Sequence, residues 1–300
     1  MTELIKPCES ILDATRIISR ANEYCLFSGI DSPEVISNFT TKEKKHFLNY
    51  PYPIEYQYNS RGFRDQEWPD SAEALRDSIW CIGDSFTAGV GLPFAHTWPQ
   101  VLQKTVSQRT INVSLDGASN NWIAKHTCAI INEISPRNII VQWSYSHRRE
   151  ADIKVALDPI WNEYYNNVKA MDWPPCESFD LFDKLPINIQ DDLRNDPRFN
   201  SWHKGFDLES PCRLHEVDST PEENIANTQT AIDLICSKST ITNIIHTFIP
   251  KWHIDNNYQL NFHGYPVISS FPVLDLGRDC YHYDIKTATN LVKQLVLLLS

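Results

Sequence analysis

A serine hydroxyl becomes a nucleophile only when an imidazole takes its proton. A carboxylate must fix the tautomer of that imidazole, and N–H donors must face the negative charge that develops on the substrate. The chain offers residues of these types near two places. In Ser78-Ile-Trp-Cys-Ile-Gly-Asp-Ser-Phe-Thr-Ala-Gly-Val-Gly91 an apolar run breaks into a glycine-flanked serine, Ser85. Ile79 to Ile82 reads as a buried strand and Gly83 as its sharp exit, which leaves the Ser85 N–H at a helix start, free to face an anion. Far downstream, Arg278-Asp-Cys-Tyr-His-Tyr-Asp284 sets Asp279 three residues before His282. Asp275 and Asp284 compete with Asp279 for the orienting role. Asp284 also reads as the cap of the last helix.

These residues need elements to bring them together. Thr97, with Pro99 and Gln100, reads as a capping box that opens a helix with Trp98, Val101, Leu102 and Val106 on its apolar face. Thr110 to Leu115 reads as a second strand, Asp116-Gly-Ala-Ser-Asn120 as the turn after it, and Ser119 as the cap of the next helix. Asn138 to Trp143 is a third strand. Thr220-Pro-Glu-Glu223 is a capping box, Ile241 to Ile249 a fourth strand, and Val267 to Leu276 holds a short fifth. A helix with Ile285, Ala288, Leu291, Leu295 and Leu299 on one face closes the chain. Alternating strands and helices predict a parallel sheet covered on both sides, with its site at the carboxyl edge. A glycine directly after the second strand, Gly117, either lets backbone approach a ligand or simply makes a turn.

Residues 1–49 mix short helical periodicity with polar stretches and read as a helical arm or cap. The aromatic, proline-bearing stretch Tyr50 to Tyr58 suits an edge strand or ribbon. From 50 to 300 the pattern is one domain with an insertion at about 150–219, rich in Trp, Tyr, Pro and Asp. Trp161, Tyr164, Tyr165, Trp173 and Trp202 favour a partly helical subdomain there over disorder.

The 300 residues carry a net charge of −11, which argues against non-specific attraction to nucleic acid or anionic membranes. None of the eight cysteines forms a Cys-x-x-Cys pair, and no apolar run has the length to span a bilayer, so a cytoplasmic protein is expected. His246, His253 and His263 lack a metal-ligand spacing, and no metal is assigned.

The common α/β-hydrolase elbow requires a glycine two places after the serine, where this chain has Thr87. The Gly-Asp-Ser run at 83–85 and the Asp-x-x-His run at 279–282, in that order, resemble instead the SGNH (GDSL) hydrolase family. An Asn59-x-x-Gly-Phe-Arg64 element upstream is similar to one found in some of its bacterial members and extends the resemblance to about Tyr50. The resemblance implies a three-layer α/β/α fold around a mostly parallel sheet. It implies Ser85 as nucleophile, His282 as base and Asp279 as its orienter, with the amides of Ser85 and Gly117 in the oxyanion hole. The family's third block usually adds an asparagine side chain. The matching stretch here, Val141-Gln-Trp-Ser-Tyr-Ser-His-Arg-Arg149, has none. Ser146 or His147 stands near the asparagine's place and Ser144 near the block's glycine, with Arg148 a further donor if it reaches.

The expected activity is hydrolysis of carboxylic esters, without metal or organic cofactor, on a small-molecule or carbohydrate ester. Two other readings stay open: an O-acyltransferase with the same triad, and a non-catalytic binding or structural protein that keeps the fold. The sequence leaves oligomeric state undetermined.

Overall fold

Parallel strands covered on both faces need mostly apolar side chains, and the central strands bring them, with Gln142, His246 and Thr247 as buried polar exceptions. The computed structural model describes residues 10–12, 20–37, 39–148, 220–238, 242–250 and 260–299. Along the chain these form β1 (Tyr24–Cys25), α1 (Pro33–Ile36), α2 (Thr41–Leu48), β2 (Tyr56–Gln57), α3 (Ala72–Asp77), β3 (Ile79–Gly83) and α4 (Ser85–Ala88). They continue as α5 (Trp98–Val106), β4 (Thr110–Ser114), α6 (Asn120–Glu133), β5 (Asn138–Trp143), α7 (Pro221–Lys238), β6 (Asn243–Phe248), β7 (Val267–Ile268) and α8 (Ile285–Leu299). The insertion expected at 150–219 lies outside the described residues.

Five strands pair in the order β4-β3-β5-β6-β7, every pair parallel. Ile82 stands opposite Val113 on one side and Val141 on the other, and Gly83 opposite Ser114. The carboxyl ends of the three strands that precede the candidate residues are thereby level. Successive side chains go to opposite faces. Ile79, Cys81, Ile140 and Ile245 pack with Trp98 and Leu102 of α5 and Leu291 and Leu295 of α8. Trp80, Ile82, Val113 and Val141 pack with Ile123 and Ile130 of α6 and Ile232 and Ile235 of α7. The fold is thus α/β, three layers around a parallel sheet. Each such buried aliphatic side chain contributes roughly 1.5–3 kcal/mol.

Local signals hold at Ser119, whose hydroxyl accepts the Trp122 N–H, and at Thr220 and Glu223, which cap each other reciprocally. They fail at two places. Thr97 makes no side-chain cap to α5: its hydroxyl donates to the Phe94 carbonyl of the preceding turn, and Gln100 reaches Asp65. At α8, the N–H groups of Lys286 and Thr287 go to the Asp275 carboxylate, while the Asp284 carboxylate accepts the Tyr50 hydroxyl at 2.6 Å.

β1 and β2 form a separate antiparallel pair. With α1 and α2 they lie against the loop that carries Asp279: Arg278 forks onto Asp31 with Nε–Oδ1 2.8 Å and Nη2–Oδ2 2.7 Å, and His46 bonds the Gly277 carbonyl.

Candidate active site

The Ser85 turn begins where β3 has no room for a side chain, since a Cβ at Gly83 would overlap the Thr87 hydroxyl. Asp84 is extended and caps α4, its Oδ1 accepting the Phe86 N–H at 3.0 Å. The N–H groups of Thr87 and Ala88 return to the Asp84 carbonyl. That leaves the Ser85 N–H, the first of the helix, without an intrahelical acceptor. Thr87 donates its hydroxyl to Gln142 Oε1 at 2.8 Å, tying the turn to β5.

Arg64, from the Asn-x-x-Gly-Phe-Arg element, fixes the chain after this turn. Its buried guanidinium donates to the carbonyls of Glu55, Ala88, Gly89 and Leu92 and lies 4.2 Å from the Tyr56 ring centre.

His282 meets Ser85 from the other side: Nε2 lies 2.7 Å from Oγ, and Nδ1 lies 2.5 Å from Asp279 Oδ2. All three residues are buried, Ser85 at 3% exposure and Asp279 at 0%. Asp279 Oδ1 accepts the N–H groups of Tyr281 and His282, so the carboxylate cannot swivel. Phe86 packs edge-on to the imidazole with centroids 4.5 Å apart. The loop docks on Gly91, whose carbonyl accepts the Arg278 N–H and whose N–H donates to the Tyr56 hydroxyl at 2.9 Å. Gly91 has φ +77, and a Cβ there would lie 2.8 Å from the Asp279 carboxyl carbon. Of the other candidates for the orienting role, Asp275 is engaged at α8 and Asp284 by the Tyr50 hydroxyl.

The end of β4 is clamped to the end of β3 by the Leu115 N–H on the Gly83 carbonyl, and Gly117 follows at φ +77. After β5 the chain reaches Ser144, which is buried and fully engaged. Its N–H donates to Asn120 Oδ1 and its hydroxyl to Asp84 Oδ2 at 2.6 Å. Arg148 Nη1 lies 3.1 Å from the same Asp84 oxygen. Burial pushes the Asp84 carboxyl up, and Arg148 and then the Ser144 hydroxyl oppose the push. Ser146 and His147 are half-buried in the loop between, with the His147 ring 5.4 Å from that of Tyr145.

The structure therefore brings Ser85, His282 and Asp279 into one hydrogen-bonded line. Gly117 follows the carboxyl end of β4, Ser146 and His147 follow that of β5, and Ser144 is committed to Asn120 and Asp84. Asp31 had no local signal, because its importance comes from Arg278, 247 positions away. Among the described residues no group of His, Cys, Asp and Glu could hold a metal ion, and no helix is long and apolar enough to cross a membrane.

No family model matches the chain, and no curated protein does. Among solved structures, the crystal structure of TesA aligns over 74% of this chain and 98% of that one, with 11% sequence identity and a TM-score of 0.38.

Proposed function

We propose that the protein is a serine-dependent hydrolase of carboxylic esters of the SGNH type. The observation that carries this reading is the unbroken relay from Ser85 Oγ through both imidazole nitrogens of His282 to Asp279, at 2.7 and 2.5 Å. With Asp279 accepting at Nδ1, the neutral imidazole keeps its proton on that side and presents a lone pair at Nε2. Ser85 Oγ then attacks the ester carbonyl as its proton passes to Nε2, and Asp279 stabilises the imidazolium.

The oxyanion of the tetrahedral intermediate faces the N–H groups of Ser85 and Gly117, with Ser146 or His147 as the third donor; each donor contributes on the order of 10²-fold or more. Collapse returns the proton to the departing alcohol. A water molecule then repeats the sequence to release the acid and restore Ser85.

The test is to treat wild type and S85A with a fluorescent fluorophosphonate and with short-chain and acetyl esters. Wild type is expected to label and turn over, and S85A to do neither. Wild type inert to every probe, or S85A labelled as fast as wild type, overturns the proposal.

A further inference from the structure

Three strand ends must stay in register for the Ser85 and Gly117 amides to face one point, and one nitrogen joins all three. Arg148 Nη1 contacts Asp84 Oδ2 after β3 at 3.1 Å, the Ala118 carbonyl after β4 at 3.4 Å and the Ser144 hydroxyl after β5 at 2.8 Å. The guanidinium also lies 4.7 Å from the centre of the Tyr145 ring, whose hydroxyl pairs with that of Tyr281, the neighbour of His282. Asp84 is completely buried, and the Arg148 side chain is 20% exposed.

Resting on the ester-hydrolase reading, we propose that Arg148 is the positioning residue of the oxyanion hole. It holds the Asp84, Ala118 and Ser144 strand ends in one frame where the third-block asparagine is missing. It does so by acting on Asp84 and on the Gly117 loop, through the adjoining Ala118 carbonyl.

The consequence for rate follows from charge. Without Arg148, a buried carboxylate one residue from the nucleophile faces the developing oxyanion with its ion-pair partner gone, and the Gly117 loop loses a tether. Both losses fall on the transition state, where the negative charge appears, rather than on bound ester. A displacement of about 1 Å in such a site costs about 100-fold. The Asp84 charge itself makes a separate test possible: if it is the harmful group, removing it as well restores part of the rate.

R148Q, R148K and the double variant D84N/R148Q are compared with wild type for fluorophosphonate labelling rate, kcat and KM on p-nitrophenyl acetate, and thermal midpoint. R148Q is expected to lose about 100-fold in kcat and in labelling rate, with KM within about threefold. R148K keeps the charge and is expected to recover about tenfold of that loss. D84N/R148Q is expected to be faster than R148Q alone. Wild-type kcat in R148Q, a loss confined to KM, or equal losses in all three variants overturns the inference. Should R148Q fail to fold, R148K decides: a kcat about tenfold below wild type at unchanged KM supports the role, and wild-type kcat refutes it. A wild type inert to probe and ester overturns the hydrolase reading and this inference together, whereas an active wild type matched by R148Q overturns this inference alone.

Discussion

Replacing Asp279 by asparagine is expected to stop the chemistry without unfolding the protein, and the local hydrogen bonds set the size of the effect. Oδ1 accepts two main-chain N–H groups, from Tyr281 at 2.9 Å and His282 at 3.0 Å, and Oδ2 accepts from His282 Nδ1. Asparagine has one acceptor oxygen. Turning its NH2 toward the two main-chain donors would leave both unsatisfied, one of them buried and one half-buried, at about 1 to 3 kcal/mol each. The amide nitrogen therefore faces His282, which must offer the Nδ1 lone pair and carry its proton on Nε2. An Nε2–H donates to Ser85 and cannot take its proton. If the active tautomer requires the flipped amide, it lies about 2 to 6 kcal/mol higher, which at about 1.4 kcal/mol per tenfold is a loss of about 30-fold to 10⁴-fold in kcat. A wrong-tautomer histidine in a serine triad costs the upper end of that range. The assay is kcat and KM on p-nitrophenyl acetate, with imidazole 15N shifts reporting the tautomer and thermal melting reporting the fold. D279N within tenfold of wild type, or a loss carried by KM, would refute the reasoning.

Two further outcomes follow from buried geometry. Gly91→Ala places a methyl group 2.8 Å from the Asp279 carboxyl carbon on a backbone at φ +77. The left-handed conformation alone costs about 1 to 2 kcal/mol, but the shift forced on Asp279 is expected to lower kcat about 100-fold; an active G91A would show that the carboxylate tolerates displacement. His246 is fully buried, accepts the Trp143 indole N–H on Nδ1, and so holds its proton on Nε2. Burial, then His263, draws its pKa from 6.5 down to about 3. The unfolded chain thus binds a proton that the fold refuses: this contribution is intact above about pH 6.5 and is lost as pH falls toward 3, about 2 kcal/mol of it by pH 5. Urea unfolding at pH 5 and pH 8 should show that difference shrinking in H246N; an unchanged difference would assign it to other groups.

The strands were readable because a parallel sheet buries both faces, so Ile79–Ile82 and Asn138–Trp143 announce themselves as short apolar runs without any tertiary information. The roles given to Ser85, Gly117 and His282 come from the family resemblance, but the turns that hold them were readable for a related reason. Each stands at a junction of strand, turn and helix, where residue type and position already restrict what the backbone does. What local reading missed were choices at helix starts and turns decided by a distant partner. Asp284 sits at the start of α8, yet Asp275 receives the N–H groups there, because the chain doubles back through the Leu276–Tyr283 bridge and returns Asp275 to the helix start. Thr97 has the spacing of a capping box, yet its hydroxyl joins its own N–H on the Phe94 carbonyl of the preceding turn. Ser144 stands near the third block's glycine, and nothing local shows that its hydroxyl is taken by the buried Asp84, 60 positions upstream.

The same contrast explains why so much of residues 20–59 bears on a histidine near the other end of the chain. β7 is two residues long, and the stretch between it and α8 has little ladder of its own to hold His282 in place. The N-terminal segment supplies the missing contacts. Asp31 grips Arg278, Tyr56 bonds both Asp31 and the Gly91 N–H, His46 takes the Gly277 carbonyl, and Tyr50 binds Asp284. Asp31 is completely buried, and its desolvation is offset by the Arg278 fork together with the Tyr56 hydroxyl. Removing Arg278 would leave that carboxylate buried with one neutral donor, at a cost of about 3 to 5 kcal/mol. The loop is therefore held by the same interaction that keeps β1 and β2 against the sheet domain, and the order of the relay at Ser85 depends on residues that never touch it.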